Sequence, residues 1–383
     1  MAFKGWIKKY EHQYHEVPVS DELNAPEDVT ENVTAASSLG DAERVHADKT
    51  GDAGLVSADA AGDAEIHDDE GEAAGVSSRG RVVSRMISYI ANESLIGKSL
   101  KTGELRKKMS EPEWNVPEPF NMTSFDMGNF TMKMLSSKEN PDLEHVVLQL
   151  HGGGYMGAIR NAYYVFAGLY NEISHGMNVC CPDYRVAPEN PYPAALEDAY
   201  ATYKWLTTSG CYKPENVILA GDSAGGGLCM ALTMYLRDHG EPLPGGIIAM
   251  SPWTDLTASG ESYDTNFDKD PLYGGSRESL IYINSYPGDH DKKDPYISPA
   301  FGSFEGFPPM LIQVGSNEML LSDSETVAAK AREAGVKLRF TVYEGMFHVF
   351  QMAYTAIPES KRAWMEAGRF FDVIYHGQEP SEA

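Results

Sequence analysis

"LAGDSAGGGL", Leu219 to Leu228, sets one serine among close glycines just after a short apolar run. Ser223 lies in Gly221-Asp222-Ser223-Ala224-Gly225, a G-x-S-x-G pattern between a candidate strand, "NVILAGD", and a candidate helix. On a sharp strand-to-helix turn the serine would be presented as a nucleophile, and glycines beside it would spare a clash with neighbouring backbone. The plainer reading is a small residue at a helix N-cap. The two part on what the rest of the chain supplies. A hydroxyl of very high pKa needs a base, and a tetrahedral intermediate needs donors aimed at its oxyanion.

Outward from this stretch, apolar runs alternate with loops and helical patterns. The runs are "HVVLQL", "NVCCPDY", "NVILAGD", "GIIAMSP", "PMLIQVGS" and "LRFTVYE", with helices expected over Ala194–Thr207, Gly225–Asp238 and Ser324–Ala334. Such alternation implies a parallel sheet covered on both faces. Ahead of it, "FNMTSFDMGNFTMKMLSS" alternates around Gly128-Asn129 and reads as a hairpin. Val82, Val83, Met86, Ile87 and Ile90 recur at helical spacing before that. Only Thr254–Ala300, rich in Asp, Tyr and Pro, breaks the rhythm. It is expected to be an insertion over the carboxyl edge of the sheet, where open α/β sheets bind ligands.

The missing chemistry can be found. "HVVLQL" runs into "HGGGY", His151 to Tyr155, whose Gly153 and Gly154 would leave their amides open to an oxyanion. The amide of Ala224 would be a third donor, and His151 is read as bracing the loop. The base is expected after the last strand, where "YEGMFHVF" places His348 in an apolar loop. For the acid, "VGSNEMLLSDS" offers Glu318, right after a strand end, and Asp323, a turn further on. Glu318 is favoured as the partner of His348. Asp323 suits the first turn of a helix, complementing its macrodipole.

The chain has 383 residues, 42% hydrophobic, enough for one large domain or two modest ones. A net charge of −25 argues against nucleic acid or an anionic membrane as a main partner. Val17–Ser78 carries sixteen acidic residues against two basic ones, Arg44 and Lys49, and no aromatics, so residues 1–79 are expected to be largely a disordered tail ahead of a domain at 80–383. Trp6, Tyr10 and Tyr14 recur at helical spacing among lysines and suit a short amphipathic helix. No apolar leader opens the chain and no run is long enough to span a bilayer. Cys180, Cys181, Cys211 and Cys229 fit neither a metal set nor a disulfide framework. A reduced, cytoplasmic protein is the expectation, with no stable membrane insertion.

Taken together, "HGGG", "DYRVAPENPYPAALEDA", "GDSAGGGL", "SPWTDL", "DPYISPA" and "GMFH" resemble the hormone-sensitive-lipase-like esterases of the α/β-hydrolase superfamily, in order from about Val146 onward. The resemblance implies an eight-stranded, mostly parallel sheet with helices on both faces and a helical cap from residues 80–115 and 254–300. It implies Ser223, Glu318 and His348 as triad, and Gly153, Gly154 and Ala224 as oxyanion hole. One departure is the acid, where many members have Asp-Pro-Leu and this chain has Glu318-Met319-Leu320. Asp183, Arg185 and Glu189 match a stretch best read as structural. The expected partner is a small ester of short to medium acyl chain, with Tyr155, Trp253, Phe347 and Met352 as wall residues. No cofactor or metal is implied, a homodimer stays open, and deacetylation or amide cleavage would use the same triad. A ligand-binding receptor or a serine peptidase are the competing uses of this fold; His348 speaks against the first and the short N-terminal part against the second.

Overall fold

The computed structural model describes residues 70–72, 76–90, 111–354 and 356–376. The amphipathic stretch at Trp6–Tyr14, most of the acidic segment and part of the 80–115 region lie outside them. Eight strands form the expected sheet: β2 (Phe120–Asp126), β3 (Thr131–Ser137), β4 (Asp142–Leu150), β5 (Met177–Asp183), β6 (Val217–Asp222), β7 (Gly246–Met250), β8 (Met310–Gly315) and β9 (Leu338–Tyr343). The strand order is β9-β8-β7-β6-β4-β5-β3-β2, parallel from β9 to β5 and antiparallel at β3 and β2. The β2–β3 turn is where the alternation placed it, with Gly128 at φ +88° and Met127 N–H donating to the Phe130 carbonyl (3.0 Å).

A ninth strand was not expected. β1 (Glu70–Glu72) adds to the sheet in parallel with β9, Glu70 opposite Phe340. It falls inside the stretch read as tail because composition reports side chains, whereas an edge strand pairs through its backbone alone. Just beyond it Ser77 donates from its N–H and Oγ to Glu359 (2.5 and 2.9 Å), at the start of helix α1 (Ser78–Ile90). The described residues thus include a strand and a helix start ahead of residue 80.

Helices follow strands as α2 (Asn161–Ile173), α3 (Ala194–Thr207), α4 (Ala224–Asp238), the single turn α5 (Ser262–Thr265), α6 (Leu321–Glu333) and α7 (Pro358–His376). The strands divide their side chains with period two. Val146, Leu148, Val217, Leu219, Ile247, Ala249, Met310 and Ile312 share one core with residues of α3, α4 and α6. The alternate positions face α2 and α7. Tyr170 of α2 reaches the Met250 sulfur, and Gln313 of β8 donates to the Ala363 carbonyl and to Glu366 of α7. With both faces covered, the central strands are buried end to end and read as nearly continuous apolar runs, Gln313 and Asp222 excepted. Every parallel strand therefore points its carboxyl end, and the loop after it, the same way.

Candidate active site

β6 ends at Asp222 and α4 starts at Ala224, so Ser223 makes the turn by itself. Its backbone stands at φ +53°, ψ −124°, a costly conformation for a residue with a side chain. The surroundings impose it. Ser223 N–H donates to the Met250 carbonyl (2.9 Å), and the Ser223 carbonyl accepts the N–H of Trp253 (2.8 Å) and Gly227 (3.2 Å). A Cβ on Gly225 would lie 2.0 Å from the Leu150 carbonyl oxygen, so the helix can approach β4 only through glycine.

Three segments distant in sequence meet at this serine. His348, in the loop after β9, places Nε2 at 2.9 Å from Ser223 Oγ. Its Nδ1 lies 2.9 Å from Glu318 Oε2, in the loop after β8. With the carboxylate as acceptor, Nδ1 carries the proton and Nε2 is free to accept from the serine. Glu318 is fully buried, and its other oxygen accepts from the Gly315 amide (2.5 Å) and the Ser251 hydroxyl (2.7 Å). Ser251 Oγ in turn accepts the Val349 N–H (3.1 Å), tying the carboxylate to the histidine loop.

Beside the serine lie unused donors. Gly153 (φ +108°) and Gly154 (φ +64°) follow β4, the neighbour of β6. The N–H groups of Gly153, Gly154 and Ala224 have no acceptor among the described residues, while Gly152 N–H donates to Asp222 (3.2 Å) and so joins the two loops. Asp222 also accepts from the Tyr163 hydroxyl (3.1 Å), and burial pushes its carboxyl up to about 6. His151 contacts its own loop: Nδ1 sits 2.7 Å from the Gly152 carbonyl, and the ring stacks on Tyr184 at 4.0 Å. Burial lowers the His151 pKa, which keeps that ring neutral. An alcohol, an imidazole and a buried carboxylate in hydrogen-bonded series, with unpaired amides alongside, are the parts of an acyl-transfer site.

A family model described as alpha/beta hydrolase fold matches residues 147–352. An acetyl-hydrolase of Streptomyces hygroscopicus is 39% identical over 225 residues, 58% of this chain and 74% of that protein. An esterase of Acinetobacter venetianus is 35% identical over 234 residues, 61% and 76% respectively. Among solved structures, an esterase of the bacterial hormone-sensitive lipase family superposes with a TM-score of 0.66 at 32% identity, over 77% of this chain and 97% of its own. The chain belongs to the hormone-sensitive-lipase-like esterases of the α/β-hydrolase fold. EstE5, from a crystal soaked with p-nitrophenyl butyrate, superposes with a TM-score of 0.69 at 30% identity, over 78% of this esterase and 99% of EstE5. The protein is a serine carboxylic ester hydrolase.

The alternative acid of this esterase, Asp323, is in the first turn of α6 but does not merely complement a helix end. It is buried, and one oxygen accepts the N–H groups of Thr254 and Asp255 (2.8 Å each), pinning the start of the insertion. Burial, with Asp255 nearby, raises its pKa well above the usual carboxylate range. Arg185 pairs with Asp198 (2.8 Å) and Glu197 (3.1 Å), and Asp183 accepts the Ile159 N–H (3.1 Å). Of the expected wall residues, Tyr155 stacks on Tyr286 at 3.8 Å and stands 6.4 Å from Trp253. Phe347 instead packs with Met346, Phe350 and Ile357 in a small core, and Met352 is half-buried. Sequence reading missed Ser251, Tyr273 and Asn284. Ser251 follows β7 within "SPWTDL", and Asn284 donates to the Gly154 carbonyl (2.8 Å). The tyrosine ring stands 5.0 Å from that of His348. Their only signal was membership of a motif or of the insertion.

Proposed function

We propose that this esterase cleaves short- to medium-chain acyl esters, roughly two to eight acyl carbons, through an acyl-enzyme on Ser223. The observation that carries the reading is the continuous Ser223–His348–Glu318 series beside three unpaired amides. Ser223 Oγ attacks the ester carbonyl carbon while its proton passes to His348 Nε2. The carbonyl oxygen, now negative, takes the N–H groups of Gly153, Gly154 and Ala224. The bond to the alcohol oxygen then breaks as His348 returns the proton to it. Water repeats the sequence on the acyl-enzyme. Glu318 orients the imidazole and offsets its transient charge.

The acetyl-hydrolase relative and the neighbour soaked with p-nitrophenyl butyrate support the short end of this range. The four free cysteines support a reducing compartment, and we place the enzyme in the cytoplasm. No described helix is long and apolar enough to cross a membrane. A series of p-nitrophenyl esters, with Ser223→Ala as blank, tests the reading. The variant should lose at least about a thousandfold in kcat. In the parent, kcat/KM should peak between acetyl and octanoyl. Rates that climb steadily toward palmitoyl would reject the chain-length part, and an active Ser223→Ala would reject the mechanism.

A further inference from the structure

The insertion is stitched to the catalytic loops, and it carries a phenol to the ring of His348. Asn266 Nδ2 donates to the carbonyls of Ser316 (3.0 Å) and Glu318 (2.8 Å). Asp270 accepts the Met319 N–H (2.8 Å) with one oxygen, and with the other the N–H groups of Leu272 (2.8 Å) and Tyr273 (3.0 Å). One carboxylate therefore holds both the residue after the acid and the turn that bears Tyr273. Gly274 closes that turn, and a Cβ there would lie 2.2 Å from the Phe267 carbonyl oxygen. Tyr273 is presented by a braced turn. Its ring lies against that of His348, centroids 5.0 Å apart and planes at 60°, which puts the phenol beside the Ser223–His348 pair.

The chemistry says what occupies that space. The proton taken from Ser223 must go to the leaving alcohol oxygen, so this oxygen has to come within hydrogen-bond reach of His348 Nε2. The carbonyl oxygen points elsewhere, to the backbone amides. A phenol packed against His348 on this side consequently borders the leaving group.

We propose that Tyr273 is a catalytic and specificity-determining residue on the leaving-group side, whose O–H donates to the alcohol oxygen as its bond to the carbonyl carbon breaks. The step needs no net proton from the phenol. His348 supplies the proton, and Tyr273 stabilises the charge that develops before the transfer is complete. Burial raises the phenol pKa, so it remains a donor through the working range. The benefit must grow with the basicity of the leaving alkoxide. A p-nitrophenolate departs with little help, an ethoxide only with much.

This inference rests on the acyl-enzyme reading of Ser223, and the experiment separates the two. Stoichiometric labelling by a fluorophosphonate is measured first, on the parent and on Tyr273→Phe, which removes only the oxygen and keeps the packing on His348. Then kcat/KM, which reports acylation, is measured for ethyl butyrate and p-nitrophenyl butyrate. Tyr273→Phe should lower kcat/KM on both, and roughly tenfold more on the ethyl ester. Labelling together with an equal fall on both esters, or no fall on either, overturns the role of Tyr273 and leaves the Ser223 reading intact. Failure of the parent itself to label overturns both.

Discussion

Ser223 is strained, buried and surrounded by groups that each have a second duty. Asp222, one residue before it, shows the cost of that arrangement. Its carboxyl ties the glycine loop to the serine turn, yet burial raises its pKa from 3.8 to about 6. A carboxyl whose pKa rises on folding favours the fold in its neutral form. Its contribution is complete below about pH 4 and is lost as pH rises through about 6. Asp222→Asn cannot ionise. Its stability relative to the parent should therefore grow from pH 4 to pH 7, by up to about 3 kcal/mol for two pKa units. Urea midpoints at several pH values check this, and a flat difference would show that Asp222 does not titrate in this window.

At the scale of elements, the insertion after β7 covers the glycine loop as well as the triad. Leu280 lies over Gly154, where an added Cβ would stand 2.3 Å from its Cδ2. Asn284 holds the Gly154 carbonyl and Tyr286 stacks on Tyr155, so one segment touches two successive loop residues. Gly154→Ala should push loop and insertion apart and lower kcat/KM about a hundredfold, near the loss of one oxyanion donor. Adding Leu280→Ala should restore about a tenth of the parent rate, because the obstructing atom is the end of a flexible side chain. If the double variant recovers nothing, the positive φ of Gly154 alone sets the cost. A double-mutant cycle on kcat/KM makes the distinction.

Across the whole molecule, α7 secures the strands that carry the acid and the base. Glu366, only 5% exposed, accepts from Gln313 (2.8 Å), Arg339 (2.8 Å), Thr341 (2.6 Å) and Tyr343 (2.9 Å), spanning β8 and β9. Removing a buried acceptor that serves four donors costs about 3–5 kcal/mol. Glu366→Ala should therefore lower Tm by roughly 10 °C in a scanning calorimeter. Glu366 hydrogen-bonds none of Ser223, Glu318 and His348, so activity per labelled serine should hold.

Local pattern was enough for the strands β2–β9, the hairpin at Gly128 and the serine turn, since period, glycine spacing and order along the chain are properties of the sequence itself. It also singled out Ser223, Glu318, His348 and the loop glycines as candidates, because each comes shortly after an apolar run. Only the folded chain decided which side chains meet across those ends. Ser251 between acid and base, Tyr273 on the imidazole, Leu280 over Gly154 and Glu366 beneath the sheet touch partners from 23 to 126 residues away. Such contacts come from strand order and helix packing, and no short window of sequence holds both partners. β1 pairs through backbone, which side-chain composition cannot report.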